Sequence, residues 1–172
     1  MHDVALLVRL KIPDVTALTA ANALRRSLGY TQLKTLTRAD YYRLRLNVET
    51  AEEALDLARE LAERTNLFVN PNKHVYEVHQ ELETGDAQDG HIARVLVTDP
   101  HDGSAEGMLA ALQGRLGYGD RVAGLTKGLL WTMHLDCDSA EEARRLAAEM
   151  AETRSLQQGL LVNPHFQDFE VW

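Results

Sequence analysis

Four basic side chains lie at alternating positions of two predicted strands, where they could together bind an anion. Arg9 and Lys11 belong to one strand, and Arg43 and Arg45 belong to a strand predicted to be its neighbour. Guanidinium groups bind phosphates and carboxylates through paired hydrogen bonds, and an ammonium binds them as a point charge. These residues are therefore candidates for binding a phosphate or an acidic partner surface. A solvated face rich in arginine and lysine gives the same pattern, and both interpretations stay open.

The rest of the sequence lacks the residue spacings that catalysis or metal binding requires. His74 and His79 are five residues apart and lack the i, i+4 spacing of a helical zinc site. His134 is predicted to point away from the buried side of its strand, which favours solvent or an interface. The sequence contains neither of the common glycine-rich phosphate loops. It therefore predicts no catalytic residue, no metal site and no cofactor.

The composition is that of a globular protein with an excess of acidic residues. The 172 residues are 45% hydrophobic and 26% charged, and the net charge is -8. An acidic chain is not attracted to nucleic acid or to anionic lipid. No apolar run approaches the ~20 residues that span a membrane. We therefore expect neither nucleic acid nor a membrane as a partner.

The single cysteine, Cys137, has no partner for an internal disulfide, so a reducing, cytoplasmic location is expected. It follows Trp131, Met133 and Leu135 in an alternating strand pattern. This predicts a buried, core-facing thiol rather than a nucleophile.

Several short motifs occur twice in the same order, which predicts a tandem duplication. The offset between the copies is 88 for the first motif (116 − 28), 89 for the second and 93 for the third, so it grows only between motifs. The repeated motifs are Leu28-Gly29-Tyr30 and Leu116-Gly117-Tyr118, Thr50 to Ala54 and Ser139 to Ala143, and Val69-Asn70-Pro71 and Val162-Asn163-Pro164. We predict a first repeat over residues 1–82, a polar linker over 83–90 and a second repeat over 91–172.

Each repeat reads as strand, helix, strand, strand, helix, strand. In the first, a strand runs from Val4 to Ile12 and a helix from about Leu18 to Leu28, with Gly29 as its cap. A strand ending at Leu36 and another beginning near Tyr41 then form a hairpin.

The second helix of each repeat begins with a capping box, Thr50 to Glu53 or Ser139 to Glu142. Its apolar positions in the first repeat are Ala54, Leu57, Ala58, Leu61 and Ala62, and in the second Ala143, Leu146, Ala147, Met150 and Ala151. The last strand holds Val75, Tyr76 and Val78, matched by Phe166, Phe169 and Val171.

The second repeat begins in the same way. Ala93, Val95 and Val97 make its first strand, and Met108, Leu109, Leu112 and Leu116 carry its first helix to Gly117. The order predicts an α+β fold of two ferredoxin-like βαββαβ modules. Paired on one chain, they are expected to form an intrachain pseudo-dimer, and association between chains is a further possibility.

This element order and its motifs resemble the small subunit of phosphoribosylformylglycinamidine synthase, the PurS family. The resemblance is carried by Leu28-Gly29-Tyr30 with Asn70-Pro71, and by Leu116-Gly117-Tyr118 with Asn163-Pro164. The chain departs from the family by having two copies. It also departs in the central hairpin, where the family's Gly-Lys-Tyr is replaced by Ala39-Asp40-Tyr41 and Gly128-Leu129-Leu130.

The resemblance implies a non-catalytic subunit in the fourth step of purine biosynthesis. The expected partners are a glutaminase subunit and an ATP-dependent synthetase subunit, which this chain would bridge. Arg9, Lys11, Arg43 and Arg45 are candidates for the interface, together with the motif residues Tyr30, Tyr118, Asn70, Pro71, Asn163 and Pro164.

Two other classes of protein share this element order. RNA-recognition modules place aromatic residues on the central strands, but the segment Arg38 to Leu44 lacks their signature and the net charge opposes them. Paired ferredoxin-like modules also serve as regulatory domains that bind a small ligand between the copies. A stand-alone enzyme is the least favoured class, because no nucleophile-base pair or metal site is visible.

Overall fold

A computed structural model describes residues 1–82, 86–87, 89–155 and 158–172. Most of the predicted linker, 83–85 and 88, lies outside the described residues. The first half of the chain contains β1 (His2–Leu10), α1 (Val15–Asn22), β2 (Leu33–Leu46), α2 (Ala51–Arg64) and β3 (His74–His79). The second half contains β4 (Asp86–Ala87), β5 (Gly90–Thr98), α3 (Ser104–Gln113), β6 (Val122–Leu135), α4 (Ala140–Ala151) and β7 (Asp168–Val171).

The chain forms two compact units, and each unit draws on both halves of the sequence. Unit 1 consists of Met1–Ile12, Ala39–Leu82 and His101–Gly128. Unit 2 consists of Pro13–Arg38, Glu83–Pro100 and Leu129–Trp172. The divisions at 38/39 and 128/129 fall inside β2 and β6, so each of these strands contributes one half to each unit.

The sheet of unit 1 has the order β3, β1, the second half of β2 and the first half of β6. The pairings of β1 are antiparallel, with Val4 opposite Leu44 and Val8 opposite Tyr76. One face of this sheet packs against α2 and α3. The fully buried side chains there include Leu6, Leu44 and Leu57 from the first half of the chain, together with Leu112 and Val122 from the second half.

The sheet of unit 2 has the first half of β2, the second half of β6, and then β5, with β4 and β7 both pairing with β5. Ala93 lies opposite Met133, and Val97 lies opposite Phe169. Helices α1 and α4 cover one face. Leu24 and Leu33 from the first half are buried there with Met133, Leu135 and Met150 from the second half.

Each unit therefore has the complete strand-helix-strand-strand-helix-strand set of a ferredoxin-like module, assembled by a reciprocal exchange. Unit 1 takes α3 and the start of β6 from the second half, and unit 2 takes α1 and the start of β2 from the first half. Leu24 and Leu112, which lie at the predicted repeat offset of 88, are both fully buried in these exchanged positions.

The exchange corrects one part of the sequence interpretation. The predicted hairpin between Leu36 and Tyr41 was wrong, because β2 is a single strand of 14 residues and β6 has the same length. The positions compared with the family's hairpin, 39–41 and 128–130, lie in the middle of these strands. Instead of turning back, each strand continues into the other unit.

Several predicted element ends also shift. The first strand ends at Leu10 rather than Ile12, which leaves Lys11 beyond the strand. The first helix begins at Val15 rather than Leu18, and the corresponding helix α3 ends at Gln113. Phe166 lies outside the last strand and is exposed.

Helices α1 and α3 both begin just after an aspartate that accepts backbone hydrogen bonds. Asp14 accepts from the N–H groups of Thr16 and Ala17, and Arg38 pairs with it at 2.8 Å. At the corresponding place Asp102 accepts from the N–H of Ser104, and Lys127 pairs with it at 3.2 Å. Such acceptors satisfy donors that the first helical turn leaves unpaired.

The second helices begin where they were predicted, but the predicted capping box is complete only at α2. Thr50 and Glu53 form a complete capping box at α2, and all five predicted apolar positions of α2 are buried. At α4 the Ser139 hydroxyl accepts from the N–H of Glu142, and its five apolar positions are buried too. Cys137 is half-buried against the unit 2 core, and burial raises the pKa of its thiol. Among the described residues, no helix is both long and apolar enough to cross a membrane.

Candidate functional site

The face of the unit 1 sheet that is turned away from α2 carries the candidate arginines. Because Ala5 lies opposite Arg43 and Asp3 opposite Arg45, these side chains share one face with Arg9. The antiparallel pairing of β1 with β3 adds Glu77 and His79 to the same face. We call the set Asp3, Arg9, Arg43, Arg45, Glu77 and His79 the charged face.

Carboxylates pair with two of these arginines. Arg45 donates to both oxygens of Asp3 at 2.9 and 3.1 Å, and Arg9 donates to both oxygens of Glu77 at 2.9 and 3.0 Å. His79 lies 3.2 Å from Glu77. The charged face is thus a network of both signs, with three arginines and two carboxylates.

The pairing holds both carboxyl groups in their charged form. The hydrogen bond from Arg45 is the main cause that lowers the pKa of Asp3. Burial works against ionisation of Glu77, but hydrogen bonds and charge from His79 and Arg9 outweigh it and lower its pKa. Exposed pairs of this kind contribute little to stability, typically about 0–1 kcal/mol, because water and salt screen them.

The third arginine is fixed by an aromatic ring. Arg43 Nε donates to the hydroxyl of Tyr41 at 3.1 Å, and its guanidinium carbon lies 5.9 Å from the centre of the same ring. Tyr41 is buried on this face, as are Ala5 and Leu7. A small apolar centre therefore lies among the charged groups.

Lys11, the fourth predicted cation, lies apart from the strand and contacts a turn. Its Nζ donates to the carbonyl oxygen of Pro71 at 2.5 Å. The Asn70-Pro71 motif forms this turn, in which the side chain of Asn70 accepts from the N–H of Asn72 at 3.0 Å. The motif thus directs the chain into β3.

The corresponding motif in the second half makes the same bonds. The side chain of Asn163 accepts from the N–H of His165 at 3.1 Å, and its own N–H donates to Gln167 at 3.0 Å. In the first half the N–H of Asn70 donates to His74 at 3.2 Å. Both Asn-Pro motifs, with Pro71 and Pro164, form a turn that precedes the last strand of their half of the chain. This turn is a structural explanation for the motif.

The two motif tyrosines also have matching partners. In unit 1 the hydroxyl of Tyr118 donates to Glu60 of α2 at 3.3 Å. In unit 2 the hydroxyl of Tyr30 donates to Glu149 of α4 at 3.2 Å. In both pairs the tyrosine and the glutamate come from different halves of the chain, as the exchange of helices requires. Burial, together with the neighbouring carboxylate, raises the pKa of each tyrosine.

The tyrosine of unit 2 borders a polar cavity of about 520 Å³. The cavity lies where the loop after Gly29 faces the last turns of α4 and the loop that follows them. Its lining residues are Leu28, Gly29, Tyr30, Gln32, Arg145, Leu146, Glu149, Ser155 and Gln158. It is separate from the charged face, which belongs to unit 1.

The structure thus places the predicted site residues in different locations. Arg9, Arg43 and Arg45 share the charged face, whereas Lys11 lies with Asn70 and Pro71 at a turn of unit 1. Tyr30 and Tyr118 lie in different units, and Asn163 and Pro164 precede β7 in unit 2. Within the described residues, no group of three or more histidine, cysteine, aspartate or glutamate side chains could hold a metal ion.

Comparison with known protein families decides the relationship. Residues 3–82 match the family model of PurS, described as phosphoribosylformylglycinamidine (FGAM) synthase. Residues 3–82 belong to the PurS family. The match over these residues supports a role in FGAM synthase and in purine biosynthesis. A search of curated proteins found no match.

The PurS match confirms the resemblance inferred from Leu28-Gly29-Tyr30 and Asn70-Pro71. The matched residues include all three arginines of the charged face. The match does not extend into the second half of the chain, and the tandem duplication stays a prediction.

Sequence reasoning missed the acidic partners of these residues. Glu60 and Glu149 lie at the repeat offset of 89, so comparing the two helices could have selected them. Asp3 and Arg9 are an even number of residues apart in β1, so the alternation of a strand places both side chains on the same face. The pairing of Glu77 with Arg9 required the register between β1 and β3, which no short motif specifies.

Proposed function

We propose that this chain is a non-catalytic scaffold subunit of FGAM synthase that bridges the glutaminase and synthetase subunits. The observation that carries this proposal is the PurS match over residues 3–82. The proposal includes a cytoplasmic location and an accessory rather than a catalytic part in the ATP- and glutamine-dependent ligation. Association between chains remains compatible with it.

We further propose that the second repeat is a diverged copy of the PurS module. Support comes from pairs of equivalent interactions, namely Tyr118 with Glu60 and Tyr30 with Glu149. A chain that carries both copies can present two related but unequal surfaces to two different partners.

The charged face is the proposed docking surface in unit 1. Its ion pairs are exposed, so a partner can exchange them for its own charges at little cost in free energy. The arginine side chains offer two-pronged hydrogen bonds to carboxylates, and both signs on the face allow it to select a complementary pattern. Buried Tyr41 and Leu7 provide a rigid centre beneath these groups.

A double charge reversal tests the docking surface. The variant carrying Arg43→Glu and Arg45→Glu is mixed with the glutaminase and synthetase subunits, and the complex is followed by size-exclusion chromatography. The matched control is Arg59→Glu with Arg64→Glu, which breaks two exposed ion pairs of α2 instead. We expect the first variant to lose co-elution and the control to keep it. Equal retention of both variants in the complex would show that the charged face is not the docking surface.

A further inference from the structure

The unit 2 cavity combines one cationic and one anionic side chain with several neutral polar groups. Arg145 Nη1 donates to Glu149 Oε2 at 3.3 Å, and the Tyr30 hydroxyl donates to Glu149 Oε1 at 3.2 Å. Gln32, Ser155 and Gln158 also line the cavity and add amide and hydroxyl groups. At about 520 Å³ the cavity is in the size range of small-molecule sites, which runs from roughly 300 to 1,000 Å³.

The two charged groups keep capacity for a ligand. Both bonds to Glu149 are longer than the usual hydrogen-bond lengths, and each carboxylate oxygen can accept more than one donor. Arg145 also lies 3.9 Å from Glu142, which is too far for a hydrogen bond. Its guanidinium has five N–H groups in a fixed fork, and its side chain is 62% exposed. An incoming carboxylate can therefore bind Arg145 while an incoming ammonium binds Glu149.

The two units differ at the positions that supply the arginine and one of the glutamines of the cavity. Asp56 in unit 1 corresponds to Arg145, and it pairs with its neighbour Arg59 at 2.7 Å. Asp120 corresponds to Gln32. The tyrosine-glutamate pair, by contrast, is common to both units. Unit 1 thus has carboxylates where unit 2 has a guanidinium and an amide.

Two described residues of a longer loop, Ser155 and Gln158, also line the cavity. The repeat offset grows from 89 at Ala62 and Ala151 to 93 at Val69 and Val162, so the second repeat has four more residues here. Ser155 and Gln158 belong to this loop. Its base is tied to α4 by hydrogen bonds from the N–H groups of Leu160 and Leu161 to the carbonyl oxygens of Met150 and Ala151, each 2.9 Å long.

A glycine allows the loop to return so close to the helix. Gly159 has a φ of +74°, and a Cβ atom at this position would overlap the backbone carbonyl of Glu152. The wall formed by Ser155 and Gln158 is therefore anchored next to the end of α4.

We infer that the unit 2 cavity binds a small polar α-amino acid, with its carboxylate on Arg145 and its ammonium group on Glu149. The adjacent opposite charges match a zwitterion of zero net charge. A polyanion such as a nucleotide would meet one cation and the repulsion of Glu149. The polar lining offers partners for a hydrophilic side chain and little contact for an apolar one. The inference is independent of the scaffold role, because it concerns binding to the isolated chain.

Binding to the full chain tests the inference. L-serine, L-threonine, L-asparagine and L-glutamine are each titrated by isothermal calorimetry, with thermal unfolding as a second readout. We expect saturable one-site binding of at least one of them. Acetate, methylammonium and inorganic phosphate, each of which lacks one or both elements of the zwitterion, should not bind at this site.

Equivalent substitutions in the two units provide the controls. Arg145→Asp, which introduces the residue of unit 1, should weaken binding on the order of ten- to a hundredfold through loss of a charged hydrogen bond. Glu149→Gln should weaken binding similarly, whereas the equivalent Glu60→Gln should leave it unchanged. Far-ultraviolet circular dichroism of each variant checks that it is folded.

Three outcomes would overturn the inference. They are an absence of binding by all four amino acids, equal loss of binding in Glu60→Gln and Glu149→Gln, and binding of phosphate in a manner that depends on Arg145. None of these outcomes bears on co-elution with the synthase subunits, so failure here is distinguishable from failure of the scaffold proposal.

Discussion

The tyrosine of each Leu-Gly-Tyr motif has a partner that the motif itself does not contain. Glycine supplies the left-handed turn after the helix, with φ of +78° at Gly29 and +77° at Gly117. The next residue then directs its hydroxyl to a glutamate on the helix from the other half of the chain. Because Tyr30 with Glu149 and Tyr118 with Glu60 repeat this arrangement, the motif marks the exchange of helices rather than a reactive site.

Removal of a motif hydroxyl should destabilise the fold modestly. Tyr118→Phe removes the hydrogen bond to Glu60 and keeps the ring, so we expect a loss of about 0.5–1.5 kcal/mol in the free energy of unfolding. Urea denaturation measures it, and Tyr30→Phe should behave alike. A double-mutant cycle with Glu60→Ala, which removes the acceptor, should show coupling between the two positions. Zero coupling would contradict the pairing.

Asp102 makes a pH-dependent contribution to stability. Hydrogen bonds from Ser104, and then Lys127, lower its pKa from 3.8 to about 2. Because this pKa is lower in the folded chain than in the unfolded one, the contribution is complete above about pH 4 and is lost as the pH falls towards about 2. The stability difference between the protein and Asp102→Asn, from urea titrations, should therefore be constant between about pH 5 and 7 and shrink in acid. A difference that persists unchanged to about pH 2 would contradict the assignment.

At the scale of elements, the exchange of α1 and α3 determines which helices pack against each sheet. Leu112 of α3 is buried with β1 and α2, and Leu24, in the turn after α1, is buried with β5 and α4. The two leucines correspond in the repeats and are equally buried. They form a matched pair for testing the exchange.

Truncation of either leucine should loosen strands of the other half of the chain. Leu112→Ala leaves a cavity in unit 1 and should cost about 2–5 kcal/mol, which should be seen as faster hydrogen exchange in β1 and β3. Leu24→Ala should instead accelerate exchange in β5 and β7. If each substitution loosened only the strands of its own half, the exchanged assembly would be wrong.

Local signals predicted the second helices of both repeats correctly and the central strands incorrectly. The capping box at Thr50 and Glu53 and the apolar stripe beside it depend on neighbours within a few residues, which a sequence shows directly. The hairpin was predicted from an apparent break between Leu36 and Tyr41 and from the resemblance to a family that has a central hairpin. The strand is continuous because its two halves pair with neighbouring strands in different units. These pairings join residues that are far apart in the sequence, so a local pattern does not show them.

The candidate site was predictable to a smaller extent. The alternation of Arg43 and Arg45 placed them on one face, as the register shows. Their acidic partners depended on strand pairing, and the unit 2 cavity depended on two segments more than 100 residues apart, at Tyr30 and Glu149. Sequence periodicity carries no information on such distant juxtapositions.

At the scale of the whole molecule, neither half of the chain holds a complete unit. Unit 1 needs Leu112 and Val122 from the second half to cover its sheet. A fragment of residues 1–82 lacks both and would expose the apolar face of β1 and α2. We expect this fragment to be unfolded or to associate with a second copy that supplies the missing helix, as light scattering after size-exclusion chromatography would show. A cooperatively folded monomer of residues 1–82 would contradict the exchange.

The proposed scaffold role requires that the glutamine-dependent activity of the synthase depends on this chain. The most direct measurement is glutamine-dependent amination of formylglycinamide ribonucleotide by the glutaminase and synthetase subunits, with and without the chain. We predict that activity with glutamine requires the chain and that the chain co-elutes with both subunits. Full glutamine-dependent activity in its absence, together with no binding to either subunit, would contradict the scaffold role.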